Sequence, residues 1–116
     1  MRPERSLKTL EDIRDAASFI LEVTKNKSRE EYLEKRLLRQ AVERNFEIIG
    51  EAIGRLARED PETVKSIGEH GRIVAFRNVL IHGYDLVDDE LVWDTIETKT
   101  PVLLAEVESL IYKELR

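Results

Sequence analysis

The sequence predicts an all-α fold, a bundle of four to five helices with long antiparallel members, and three observations carry that expectation. Apolar residues recur at the three-to-four-residue spacing of a helix over long stretches. Only 5 glycines and 3 prolines interrupt the 116 residues, so turns are few and the elements between them are long. No segment shows the strict alternation of a half-buried strand. A chain of this length holds one core, and residues 1–116 are read as a single helical domain.

Leu10, Ile13, Ala17, Ile20, Leu21 and Thr24 line one face of a first helix, from about Leu7 to Asn26. Asn26, Lys27 and Ser28 break it, and Ser28 to Glu31 has the Ser-x-x-Glu form of a capping box. The next helical stretch reaches about Arg58, with Leu37, Leu38, Ala41, Val42, Ile48, Ile49, Ala52, Ile53 and Leu56 as its apolar set. A short first piece holding Tyr32 and Leu33 can stand apart from it. Asp60-Pro61 stops the stretch, because the residue before a proline disfavours the helical region. Glu62 to Ile67 is read as one or two turns, and Gly68 and Gly71 bracket a loop at His70. A third helix spans roughly Arg72 to His82, with Gly83 as its C-cap. After a turn over Asp85 to Asp88, a last helix opens with Asp88, Asp89 and Glu90, acids that suit the positive end of its dipole. Pro101 kinks that helix, or starts a new segment with Thr100 as its cap.

Composition narrows the chemistry. The absence of cysteine excludes a disulfide framework, a thiolate zinc site and a cysteine nucleophile together. No apolar run approaches membrane-spanning length and the N-terminal residues lack an apolar signal core, so a cytoplasmic protein is expected. The net charge of -5 means that any nucleic-acid contact must draw on locally concentrated lysine and arginine. Lys35, Arg36, Arg39 and Arg44 form either a solvated face or a basic rim. Glu47 and Glu51 read as an exposed ladder or as paired acids, and Trp93 as core or dimer interface. His70 and His82 lack the spacing of a metal-ligand pair, so no metal is expected.

The segment from Arg72 to Tyr84 holds the candidate chemistry. With Arg77 at zero on a wheel of about 100° per residue, Ile73, Phe76, Val79 and Leu80 fall between roughly 200° and 320°, a core stripe. Asn78 and His82 fall at about 100° and 140°, away from that stripe, and Arg77 stands about 140° from His82. A polar pair on an exposed face is either ordinary surface or a site. Arg77 is either a surface ion pair or a planar clamp for phosphate. His82, at a helix C-terminus where the dipole suits an imidazolium, has the chemistry of a general acid or base. On the residues alone these alternatives stay open.

The run Arg77-Asn78-Val79-Leu80-Ile81-His82-Gly83-Tyr84 resembles the Arg-x4-His-x-Tyr signature of HepT-like toxins, small helical ribonucleases of the HEPN superfamily. The likeness covers most of the chain: Ala41 to Ala52, with Gly50-Glu51-Ala52, is similar to the family's second-helix segment, and Asp88 to Leu104 to its proline-interrupted C-terminal helix. The resemblance implies an endoribonuclease that works as a homodimer without metal or cofactor, the motifs of both subunits lining one cleft. It implies that Arg77 stabilises the phosphate in the transition state, that His82 moves protons, and that Asn78 orients the phosphate or His82. It places Glu51 as a possible support. It matches Tyr84 to a tyrosine that a minimal nucleotidyltransferase antitoxin can modify with AMP.

The expected function is therefore an endoribonuclease toxin acting on RNA and neutralised by a nucleotidyltransferase partner. The alternative is a catalytically silent helical subunit that binds nucleotide or supports that nucleotidyltransferase.

Overall fold

The computed structural model of the protein describes residues 4–83 and 87–115. Among them are seven helices and no strand: α1 (Glu4–Thr24), α2 (Arg29–Glu34), α3 (Arg36–Glu59), α4 (Pro61–Val64), α5 (His70–His82), α6 (Asp89–Thr98) and α7 (Thr100–Leu115). Five are long and two are single short pieces, so the bundle has the expected long members with two connectors that are helical themselves. At 24 residues, α3 is the longest helix and runs about 36 Å. It carries α1 and α5 along its length, and α7 packs on α1.

The boundaries follow local chemistry. Asn26 takes the left-handed conformation, φ 63°, which asparagine tolerates better than most residues, and α1 ends just before it. Ser28 closes the capping box on α2: the Glu31 amide donates to Ser28 Oγ at 3.1 Å and the Ser28 amide to Glu31 Oε1 at 3.0 Å. One extended residue, Lys35, divides α2 from α3, and the Arg39 guanidinium donates to the Leu33 carbonyl at the end of α2. Asp60 caps α4, taking hydrogen bonds from the Thr63 amide and hydroxyl at 3.3 and 2.7 Å. Asp88 caps α6 through the amides of Glu90 and Leu91. Pro101 is the second residue of α7, so the last expected helix is two; Thr100 donates its hydroxyl to the Thr95 carbonyl at 3.0 Å rather than capping α7.

Every position that marked the first helix is buried or half-buried, and Leu10, Ile13, Ala17 and Ile20 meet Val42, Ile49, Ile53, Leu56 and Val107 in the core. Trp93 lies in the core too, its ring centroid 5.5 Å from that of the fully buried Tyr32. Two expectations need correction. His70 is not in a loop but is the first residue of α5. Val79 is not core but 47% exposed, because α5 rests on α3 along its Ile73, Phe76, Arg77 and Leu80 side, and only Leu80 is buried. Gly83 does end α5, its amide donating to the Val79 carbonyl at 2.9 Å, but with φ -124° it uses none of a glycine's left-handed freedom.

Truncating the core should outweigh uncapping a helix. Ile53→Ala is expected to lose about 2–5 kcal/mol of unfolding free energy, and Ser28→Ala about 1 kcal/mol. Urea titration followed by the fluorescence of Trp93 measures both, and equal losses would contradict the packing described.

Candidate active site

The site is built where α5 crosses α3. Phe46 on α3 and Phe76 on α5 meet edge to face, with centroids 5.3 Å apart and planes at 77°. One turn further along α3, Gly50 lies directly under Arg77 and beside the Ile73 carbonyl. Arg77 is half-buried there, and its Nε is buried without a hydrogen-bond partner among the described residues. Its Nη1 donates to Asn78 Oδ1 at 3.0 Å, which turns the guanidinium toward the exposed side of the helix. Asn78 is exposed, and so is His82, one turn on and about 6 Å along the axis. The exposed apolar side chains of Val79 and Ile81 are interleaved with them.

The structure thus brings Arg77 and Asn78 into contact and leaves His82 on the solvent face that Asn78 shares. Among the described residues Arg77 makes no surface ion pair, and its aliphatic stem is held against α3. Glu51 stands elsewhere. It is exposed and lines an open groove of about 500 Å³ between α1 and α3 with Asp12, Asp15, Phe19, Ile48 and Arg55, and none of Arg77, Asn78 or His82 borders that groove. Tyr84 lies outside the described residues. On the other flank of α5, a smaller crevice of about 230 Å³ is walled by Ile73, Phe76, Leu91 and Thr95. Among the described residues no group of three or more His, Cys, Asp or Glu side chains gathers into a metal cage, and no helix is long and apolar enough to cross a membrane.

Most of the basic run is already partnered. Lys35 pairs with Glu31 at 3.5 Å, Arg44 with Glu47 at 3.4 Å and Arg39 with Asp89 at 3.6 Å, while Arg36 is exposed. Arg29 joins Glu90 at 2.6 Å. The last two acids are on the first turn of α6, so Arg29 and Arg39 strap that turn to α2 and α3 immediately beyond residues 84–86. Glu43 belongs to the same cluster. Burial pushes its carboxyl above the ordinary carboxylate value and the Asp89 carboxylate adds to the rise, with Arg39 opposing both. Burial likewise pushes the Tyr32 hydroxyl up, and that hydroxyl has no hydrogen-bond partner among the described residues. These straps and the Gly50 seat were not read from sequence as parts of a site. Gly50 and Gly54, four residues apart inside a helix that tolerates glycine poorly, were the available signal for a close approach.

The sequence profile of ribonucleases of the HepT-like type matches residues 13–110, a span that takes in most of α1 and α7 and everything between them. The chain belongs to the ribonuclease HepT-like family. Its relatives include a protein of Methanocaldococcus jannaschii named as a candidate RNase, 33% identical over 110 residues that cover 94% of this chain and 90% of the relative. Another candidate RNase, from Caldanaerobacter subterraneus subsp. tengcongensis, is 33% identical over 90% of this chain and 93% of its own. A third, named as a candidate ribonuclease HepT in Thermococcus cleftensis, is 33% identical over 87% and 91%. No solved structure matches the chain. By family this HepT-like protein is a ribonuclease, and RNA is its substrate class.

The Glu43 cluster has a testable sign. A carboxyl whose value rises on folding binds more protons in the native than in the unfolded chain between the ordinary 4.5 and its raised value. Its contribution is favourable at low pH and is lost as pH climbs through that window. Glu43→Gln, neutral throughout, should therefore melt above the wild type at around pH 7, with the gap closing below pH 4.5. Thermal melts across that range check it, and a gap that widens on acidification would reverse the assignment.

Proposed function

We propose that this HepT-like protein is the toxin of a toxin–antitoxin pair, a metal-independent endoribonuclease whose site is Arg77, Asn78 and His82. The observation that supports it best is the seating of Arg77, a half-buried cation steered by Asn78 toward the face on which His82 is exposed. RNA brings its own nucleophile. As the 2′-oxygen attacks phosphorus its proton passes to an imidazole, the P–O5′ bond breaks, and the departing 5′-oxygen takes a proton from an imidazolium. The guanidinium meets the charge that builds on the phosphate oxygens. Acid and base together need two imidazoles, and one exposed His82 per chain makes a two-fold homodimer the simplest source of both.

Control rests on Tyr84 in this reading. Its phenolic oxygen attacks the α-phosphorus of ATP in the partner nucleotidyltransferase, pyrophosphate leaves, and AMP stays on the tyrosine. Tyr84 follows Gly83 at the end of the helix that carries Arg77, so the new phosphate would compete for that guanidinium with the RNA phosphate. The second reading, a silent subunit that binds nucleotide or supports the nucleotidyltransferase, draws on the partnering of Lys35, Arg39 and Arg44, which ties up most of the basic run within the protein.

Purified protein should cleave RNA in EDTA, leave 2′,3′-cyclic phosphate ends and run as a dimer in light scattering. His82→Ala should lower the rate by at least about 100-fold with an unchanged melting curve, since the side chain is exposed. Arg77→Lys keeps the charge but loses the planar fork, and should also be impaired. Cleavage that a chelator abolishes, or a fully active monomer, would overturn the mechanism. Co-expression with a minimal nucleotidyltransferase partner should add the mass of AMP at Tyr84. A silenced protein of unchanged mass would show inhibition by binding instead.

A further inference from the structure

We propose that Gly50 is a positioning residue of the ribonuclease site: its missing side chain lets α5 lie close enough to α3 to seat Arg77. The inference rests on the ribonuclease reading only for what Arg77 then does. A Cβ built on Gly50 falls 2.2 Å from Arg77 Cβ, 2.7 Å from Arg77 Cγ and 3.3 Å from the Ile73 carbonyl oxygen. Carbon atoms rest at about 3.5–4.0 Å. Arg77 can swing its Cγ by changing rotamer, but its Cβ is fixed to the backbone, so relief requires α5 itself to move outward by more than about 1 Å.

Nothing else demands glycine at this position. None of the described glycines has a positive φ, so the backbone conformation is open to any residue. In a helix interior glycine is less stable than alanine, so its presence acts against α3 unless the space is used. Gly54, one turn later, supplies the contrast: a Cβ there meets only Arg58 Nη1, at an ordinary 3.7 Å. The requirement belongs to Gly50 alone of the pair. What lies against Gly50 is the root of Arg77 itself, so the crossing sets the point from which the guanidinium reaches Asn78. Asn78 and His82 ride on the same helix and would shift with it.

The experiment is a cycle of Gly50→Ala and Arg77→Gly, with Gly54→Ala as control, measured by RNA-cleavage kinetics and thermal melts. Gly50→Ala should reduce kcat/KM by about 100-fold, the usual consequence of a 1 Å misplacement, while the shape of the pH–rate profile stays that of the wild type because His82 is unaltered. Gly54→Ala should keep its activity and melt higher. In the Arg77→Gly background, where the opposing Cβ is gone, Gly50→Ala should no longer lower the melting temperature. A general weakening of α3 would ignore residue 77. If Gly50→Ala fails to fold, the double variant should fold as Arg77→Gly does. A folded Gly50→Ala enzyme with wild-type kcat/KM, or an equal melting loss in both backgrounds, would overturn the proposal. If the wild type cleaves no RNA, the ribonuclease reading falls, and the melting cycle decides by itself whether Gly50 seats Arg77.

Discussion

The crossing of α5 over α3 at Gly50 is the contact on which the candidate site depends. Helix axes usually stand 8–10 Å apart, held off by side chains. A glycine at the point of contact removes that spacer, and an arginine root takes the place an ordinary side chain would fill. The edge-to-face pair of Phe46 and Phe76 fixes the same crossing one turn away. A charged residue is thereby anchored by its hydrocarbon stem while its head is left to polar chemistry, the division of labour that long basic side chains permit.

The rest of the bundle makes that crossing stiff. The inward side chains of α3 are buried along its length, from Val42 through Ile49 and Ile53 to Leu56, against α1 and its neighbours. The start of α6 is governed differently, by charge. Asp89 and Glu90 are drawn to Arg39 and Arg29 across the molecule, next to the half-buried Glu43. Exposed pairs of this kind contribute only about 0–1 kcal/mol each, so their main effect here is to fix where α6 begins. An acidic protein has thus spent several arginines on itself rather than on a ligand.

How much of this was legible in the sequence depended on how one-sided each helix is. The first helix has a clean apolar face, and its marker residues Leu10, Ile13, Ala17 and Ile20 are all core. The capping box at Ser28 and the stop at Asp60-Pro61 are short-range chemistry and stand as read. The motif helix was harder. Ile73, Val74, Phe76, Val79, Leu80 and Ile81 cover an arc of about 220° of it, so periodicity gave its buried side little direction and put Val79 on the wrong one. Asn78 and His82 were correctly read as exposed, because both lie well clear of the α3 contact. The intimacy of Arg77 with α3 and the pairing of Arg39 with Asp89 depend on partners far apart in the chain, which no local pattern encodes.

The shallow docking of α5 carries a dynamic cost. Of its 13 residues only Leu80 is buried, whereas α3 and α7 each bury a row. Segments with few buried contacts open on their own, at free energies well below that of global unfolding. The helix bearing Arg77, Asn78 and His82 is thus held chiefly by its crossing with α3, and its amide hydrogens are expected to exchange ahead of those in the rows that α3 and α7 bury. Warming that loosens this one helix would scatter the three side chains while the core rows of α3 and α7 were still closed.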